Sequence, residues 1–93
     1  PPMATAKDLG RCKAIGGLLV RPLGVLPIEI SDPIPPVTIG FFQQVPSLLK
    51  PDPSVTTLRR AIGAYVHSKR YYLSCSKAGA MRHDLDGNPI EAV

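Results

Sequence analysis

Six cations, Arg59, Arg60, Lys69, Arg70, Lys77 and Arg82, fall in one stretch of this 93-residue chain, and the tandem Tyr71-Tyr72 sits among them. Guanidinium and ammonium groups neutralise phosphates, and tyrosine rings offer faces on which unpaired bases stack. Residue types of both kinds, interleaved this closely, point to nucleic-acid recognition. The ordinary alternatives are a solvated helix face for the arginines and a core or rim position for a tyrosine. Two adjacent tyrosines on one helix cannot both point inward, so one of Tyr71 and Tyr72 is expected in the core and the other is free to act. Arg59, closest to the Gly63–Arg70 stripe, is favoured over Arg60 for contact.

The charge distribution supports this. From Lys50 to His83 there are seven basic residues and one acid, Asp52, within a net charge of +4. The first 49 residues balance four bases against three acids, and the last ten carry three acids and no base. A basic block in an otherwise balanced chain suits a polyanionic partner.

Other chemistries find little support. His67 and His83 have no Ser, Cys or carboxylate partner at a recognisable catalytic spacing. Asp84-Leu85-Asp86-Gly87-Asn88 places its glycine fourth, where a calcium loop needs it sixth and a Glu at the twelfth position. Asp86 is expected to serve a turn, and Asp84 to orient Arg82 by an ion pair. Cys12 and Cys75 form no CxxC pair and have no His at ligand spacing. They read as small apolar fillers or free thiols of a reducing compartment, with one long-range disulfide the other arrangement open to them. No metal, no cofactor and no enzymatic activity are expected. The apolar runs Ala14–Val20 and Leu23–Ile30 are too short to span a bilayer, and no cleavage site follows the first. The opening Pro-Pro-Met does not read as a native start.

The elements that must position these residues follow from caps and breakers. Thr5 is an N-cap for a first helix that Gly16-Gly17 ends. Residues 21–37 carry prolines at 22, 27, 33, 35 and 36, which excludes a helix. They read as an extended, surface-wrapping segment with an edge strand at Ile28–Ser31. In Thr38–Leu49, Phe41, Val45, Leu48 and Leu49 have helical spacing, with a kink or restart at Pro46. Ser54 caps the strongest helix, whose apolar arc is Val55, Leu58, Ile62, Tyr65 and Val66. This helix ends near His67–Ser68, because Lys69 would otherwise project into the arc, and a new one runs Lys69–Cys75. Mid-helix Gly63, which costs ~1 kcal/mol against Ala, is expected to allow close helix packing, in preference to close approach of a phosphate backbone. Lys77–Ala80 is a small-residue turn. Met81–Leu85 and Ile90–Val93 are strands joined by a turn at Asp86–Pro89.

The run from Thr38 to Val93 resembles the ProQ/FinO family of bacterial RNA chaperones. The resemblance rests on IGFFQ (39–43), LRRAI (58–62), Tyr65, the Ser68–Leu73 segment and, most specifically, KAGAMRHDLDGNP (77–89). It implies an α+β, mostly helical domain with a C-terminal β-hairpin over residues 38–93, preceded by a diverged or Pro-rich segment over 1–37. It also implies a bacterial, cytoplasmic protein that binds structured RNA: a small RNA, a terminator-type hairpin or an mRNA 3′ end, with its single-stranded 3′ tail. Carried over position by position, Arg59 matches a backbone-contacting helix position. Tyr71 or Tyr72 matches the tyrosine beside the RNA 3′ end, Lys77 opens the small-residue turn, and Arg82 enters the hairpin. The chain departs from the family where Pro35-Pro36-Val37-Thr38 replaces a basic lead, putting Thr38 at a basic position, and at Gly63. The competing reading is a protein-interaction module with a basic face and a Pro-rich docking segment. Neither reading fixes the oligomeric state.

Overall fold

Helix α1 (Ala6–Gly16) begins where the sequence places it. Thr5 is extended and forms a capping box, its hydroxyl accepting from the Asp8 amide and the Asp8 carboxylate accepting from the Thr5 amide at 2.9 Å. The computed structural model describes residues 2–93, so Pro1 of the Pro-Pro-Met start lies outside the described residues. Asp8, Cys12 and Ile15 recur at helical spacing and form the buried face of α1. That face packs on α3 (Val55–Val66), capped by Ser54 and buried through Leu58, Ile62 and Tyr65.

Between these helices lies α2 (Phe41–Gln44), which tightens into a 3₁₀ turn over Val45–Leu48. Pro46 enters at the start of that turn, where its missing N–H costs no helical bond. After α3, His67-Ser68 breaks the chain and the Ser68 hydroxyl caps α4 (Lys69–Ser76). The break removes the conflict at Lys69, which is exposed. Strands β1 (Met81–His83) and β2 (Pro89–Ala92) form an antiparallel hairpin with a register shift after Arg82. The architecture is α+β and mostly helical with a C-terminal β-hairpin, as the sequence indicated.

The proline-rich strap is deeper than a surface wrap. Leu23, Val25, Leu26, Ile34 and Val37 are buried together with Ala4, Cys12 and Ile15 from α1 and its approach, and with Phe41, Val45, Leu58, Ile62, Tyr65 and Tyr71 from beyond. One apolar cluster thus draws on both sides of residue 37. Each Val, Leu, Ile or Phe side chain in the cluster contributes about 1.5–3 kcal/mol by leaving water. Prolines deny the strap a continuous ladder, so it attaches by single bridges, Met3 with Pro33 and Val37 with His83, while a third bridge, Leu19 with Leu49, ties the chain just before the strap to the end of the 3₁₀ turn.

The edge strand expected at Ile28–Ser31 is absent. The Asp32 carboxylate accepts from the Ile28 and Glu29 amides at 3.1 and 3.0 Å, and the segment curls into a turn with Ser31 at φ 76°. An aspartate binding backbone amides behind it competes with strand pairing. The close packing expected at Gly63 is also absent. A Cβ there would meet only His67 Cδ2, at 3.6 Å, an ordinary contact.

The hairpin turn docks on the strap through two glycines. A Cβ on Gly24 would lie 2.5 Å from the Asp86 carbonyl oxygen, and Gly87 adopts φ +91° with its own Cβ position 3.2 Å from the Gly24 carbonyl. Only glycine permits this backbone-to-backbone approach. The Val25 amide then donates to the Leu85 carbonyl at 3.1 Å.

Candidate nucleic-acid interface

Tyr71 and Tyr72 divide as two neighbours on a helix must. About 100° of helical rotation separates them. Tyr71 is 7% exposed and Tyr72 is 70% exposed. The Tyr71 ring packs tilted against Tyr65, with centroids 5.5 Å apart. Its hydroxyl accepts the Val37 amide proton at 2.8 Å. Burial pushes the Tyr71 phenol up to about 12, against the Val37 amide, which favours the phenolate. Tyr72 presents its ring to solvent from the outer part of α4.

Arg82 reaches the same strap residue from the other side. Its guanidinium donates to the Val37 carbonyl at 3.0 Å. The flanking backbone reinforces this: the His83 amide donates to Pro36 O at 2.8 Å, and the Thr38 amide donates to His83 O at 2.8 Å. The His83 ring Nδ1 lies 3.2 Å from Pro36 O, and the Ser74 hydroxyl donates to Ile34 O. Residues 34–38 therefore clamp α4 to β1. Thr38, at the position where the resemblance implies a base, is buried in this clamp.

The expected ion pair of Asp84 with Arg82 does not form. Asp84 is occupied by the turn, accepting from the Asp86 amide at 3.0 Å and the Asn88 amide at 2.9 Å. These amides hold its carboxyl below the usual carboxylate range, the Asn88 amide most of all. Asp86, expected to serve the turn, turns its side chain to Arg21 at 3.2 Å. Two carboxylates at alternate positions of a tight turn exchange roles because only the first can reach the amides ahead of it.

The remaining cations are on the surface. Arg59 and Arg60 follow Leu58 by about 100° and 200° on α3, which places Arg59 on the flank and Arg60 opposite the core. Arg59, Arg60, Lys69 and Lys77 are exposed, and no carboxylate pairs with them among the described residues. Arg70 differs, with its Nε 3.9 Å from the Asp8 carboxylate. Lys50 donates to the Gly17 carbonyl at 3.0 Å, at the C-terminal end of α1.

The structure thus brings Tyr71 and Arg82 together on Val37, and leaves Tyr72 and four cations free on the surfaces of α3, α4 and the turn that follows. The anchoring role of Val37 was missed in the sequence. It is carried by a backbone amide and carbonyl, which no side-chain pattern announces. Cys12, adjoining Tyr65, is pushed up to about 12 by burial, so it is an unreactive thiol at neutral pH. Both cysteines are free. No three His, Cys, Asp or Glu side chains are grouped to hold a metal among the described residues, and none of their helices is long and apolar enough to cross a membrane.

The chain is 52% identical over 56 residues to a protein named RNA chaperone ProQ from Shewanella amazonensis, covering 58% of this chain and 25% of that protein. It is 51% identical over 55 residues to the RNA chaperone ProQ of Shewanella pealeana, covering 57% and 26%. It is 43% identical over 60 residues to that of Idiomarina loihiensis, covering 62% and 28%. The match spans about a quarter of the length of these relatives. No solved structure matches the chain. The pattern that defines the ProQ/FINO family matches residues 27–93, taking in the end of the strap, its clamp on α4 and β1, and every site residue named above. With the greater part of its length matched to that pattern, the chain belongs to the ProQ/FinO family.

Proposed function

We propose that this chain is a non-enzymatic RNA-binding domain of a bacterial, cytoplasmic RNA chaperone or post-transcriptional regulator. Its target is a structured RNA hairpin with a single-stranded 3′ tail, of the kind found in small RNAs and at mRNA 3′ ends. Residues 38–93 carry the contacts, and residues 1–37 support them through the shared core. The observation that carries this reading is the pair Tyr71 and Arg82 fixed on Val37, with Tyr72 and unpaired cations exposed nearby in sequence. In this reading Arg59, Lys69, Arg70, Lys77 and Arg82 neutralise phosphates, with Arg60 at the margin. Tyr72 stacks on an unpaired base, and Tyr71 holds the strap. The names of the relatives support the same conclusion.

Phosphate contacts read shape more than base sequence, and they release counterions. The test is a titration with a GC-rich hairpin bearing a 3′ U tail, the same hairpin without its tail, and a duplex DNA of equal length. Tail-dependent binding to the hairpin is expected, weakening by roughly 10³-fold between about 50 and 200 mM salt if six phosphates are engaged. Equal, weak binding to all three, or a shallow salt slope, would sink the proposal.

A further inference from the structure

Asp8 is a charged residue type with 1% of its surface exposed, on a helix whose RNA-binding role nothing above requires. A capping carboxylate can do its work at the surface, so the cap does not explain the burial. Burying a carboxylate is costly unless its oxygens are satisfied. One oxygen accepts from the Thr5 amide at 2.9 Å and the Thr5 hydroxyl at 2.8 Å, and lies 3.9 Å from Arg70 Nε. The other lies 3.6 Å from Arg11. The carboxylate therefore joins α1 to α4, across more than sixty residues of chain.

The edge of Arg70 used in this contact is informative. Nε is the guanidinium nitrogen nearest the carboxylate, the side chain is 48% exposed, and neither terminal nitrogen has a protein partner among the described residues. A guanidinium drawn toward a carboxylate at its Nε edge, here across an ionic contact of 3.9 Å, keeps its two terminal nitrogens as a fork, the geometry that accepts a phosphate bidentately. Arg11 and Arg70 together outweigh the single negative charge of Asp8. The local field on an approaching phosphate is therefore attractive.

We propose that Asp8 is a positioning residue for RNA binding: its buried carboxylate fixes the Arg70 guanidinium as a preset phosphate fork, making α1 a working part of the interface. This rests on the RNA-binding reading above. Preorganising a long side chain removes part of the ordering cost that binding otherwise meets.

The test is a double-mutant cycle on the whole chain with the tailed hairpin. Asp8→Asn keeps an oxygen for Thr5 and removes the charge. Arg70→Lys keeps the charge and removes the fork. Each single change is expected to weaken binding by about 3- to 10-fold, and the double variant to be no weaker than either, the signature of residues acting as one unit. In the free wild-type protein, the Arg70 Nε–H is expected to exchange with water more slowly than that of Arg60. Additive losses in the cycle, tighter binding by Asp8→Asn, or an Arg70 Nε–H exchanging as fast as that of Arg60 would each overturn the proposal. Should Asp8→Asn fail to fold, Arg70→Lys decides alone, since unchanged affinity in that variant excludes a fork. Wild-type protein that does not bind the hairpin would instead remove the RNA-binding reading itself, and this proposal with it.

Discussion

Tyr71 and Arg82 meet on opposite sides of one residue. The Val37 amide donates to the Tyr71 hydroxyl at 2.8 Å, and the Val37 carbonyl accepts from the Arg82 guanidinium at 3.0 Å. A helix residue and a strand residue are thereby set by the backbone of a proline-rich segment that precedes both.

Tyr71→Phe removes the acceptor for a buried amide. A buried donor left unpaired costs about 1–3 kcal/mol. Denaturant titration should show a loss of that size, with RNA affinity falling as the strap loosens. Tyr72→Phe should leave stability unchanged, because its ring is in solvent. A Tyr71→Phe variant as stable as the wild type would show that the clamp contributes nothing.

Tyr72→Ala separates stacking from folding. Loss of a base–aromatic contact is worth about 1–3 kcal/mol, or roughly 5- to 150-fold in affinity, with melting temperature little changed. The loss should appear with the tailed hairpin and vanish with the tailless one. Equal losses on both would place Tyr72 away from the tail.

Arg82→Ala should weaken hairpin binding and lower the salt slope by about one unit, since one phosphate contact is lost. Arg60→Ala, on the side of α3 opposite the core, should change the slope least of the six cations. Titrations at several salt concentrations check both, and a slope unmoved by Arg82→Ala would remove that residue from the interface.

Alkaline pH should destabilise the fold. The Tyr71 phenol is raised from its ordinary value of 10.0 to about 12, and Tyr65 is raised further, both chiefly by burial. The unfolded phenols lose their protons first, so this stability is complete below pH 10 and drains away as pH climbs through 12. Denaturation midpoints measured from pH 9 to 12 should fall across that window, and less steeply in Tyr71→Phe.

Two glycines should respond in opposite directions. Gly24→Ala drives a Cβ into the Asp86 carbonyl at 2.5 Å and should cost about 1–3 kcal/mol by displacing the hairpin turn. Gly63→Ala meets only a histidine carbon at 3.6 Å and should stabilise α3 by about 1 kcal/mol. Thermal melts test both. A stabilised Gly63→Ala that binds RNA less well would mean a phosphate backbone passes close to this turn of α3.

What the sequence settled by itself is local. Thr5 and Ser54 each cap a helix, because a short hydroxyl side chain satisfies amides two or three residues ahead, and the structure adds Ser68 as a third such cap. The apolar arc of α3 through Leu58, Ile62 and Tyr65, without Val55, which is exposed at the first turn, and the Asp-Gly turn of the hairpin are likewise relations between near neighbours. So is the division of Tyr71 and Tyr72 into one buried and one exposed ring, although which was which was not legible. The tertiary structure decided everything that depends on what lies across the core. It chose Tyr71 as the inner tyrosine by supplying the Val37 amide, and it gave Arg82 a backbone carbonyl in place of Asp84. It folded the Ile28–Ser31 segment into a turn and sent the strap side chains inward. Apolar residues between prolines carry no periodicity, so their burial is unreadable until a partner surface exists. The Asp8–Arg70 contact is of the same kind, since pairing charges so far apart in sequence requires the path of the chain between them.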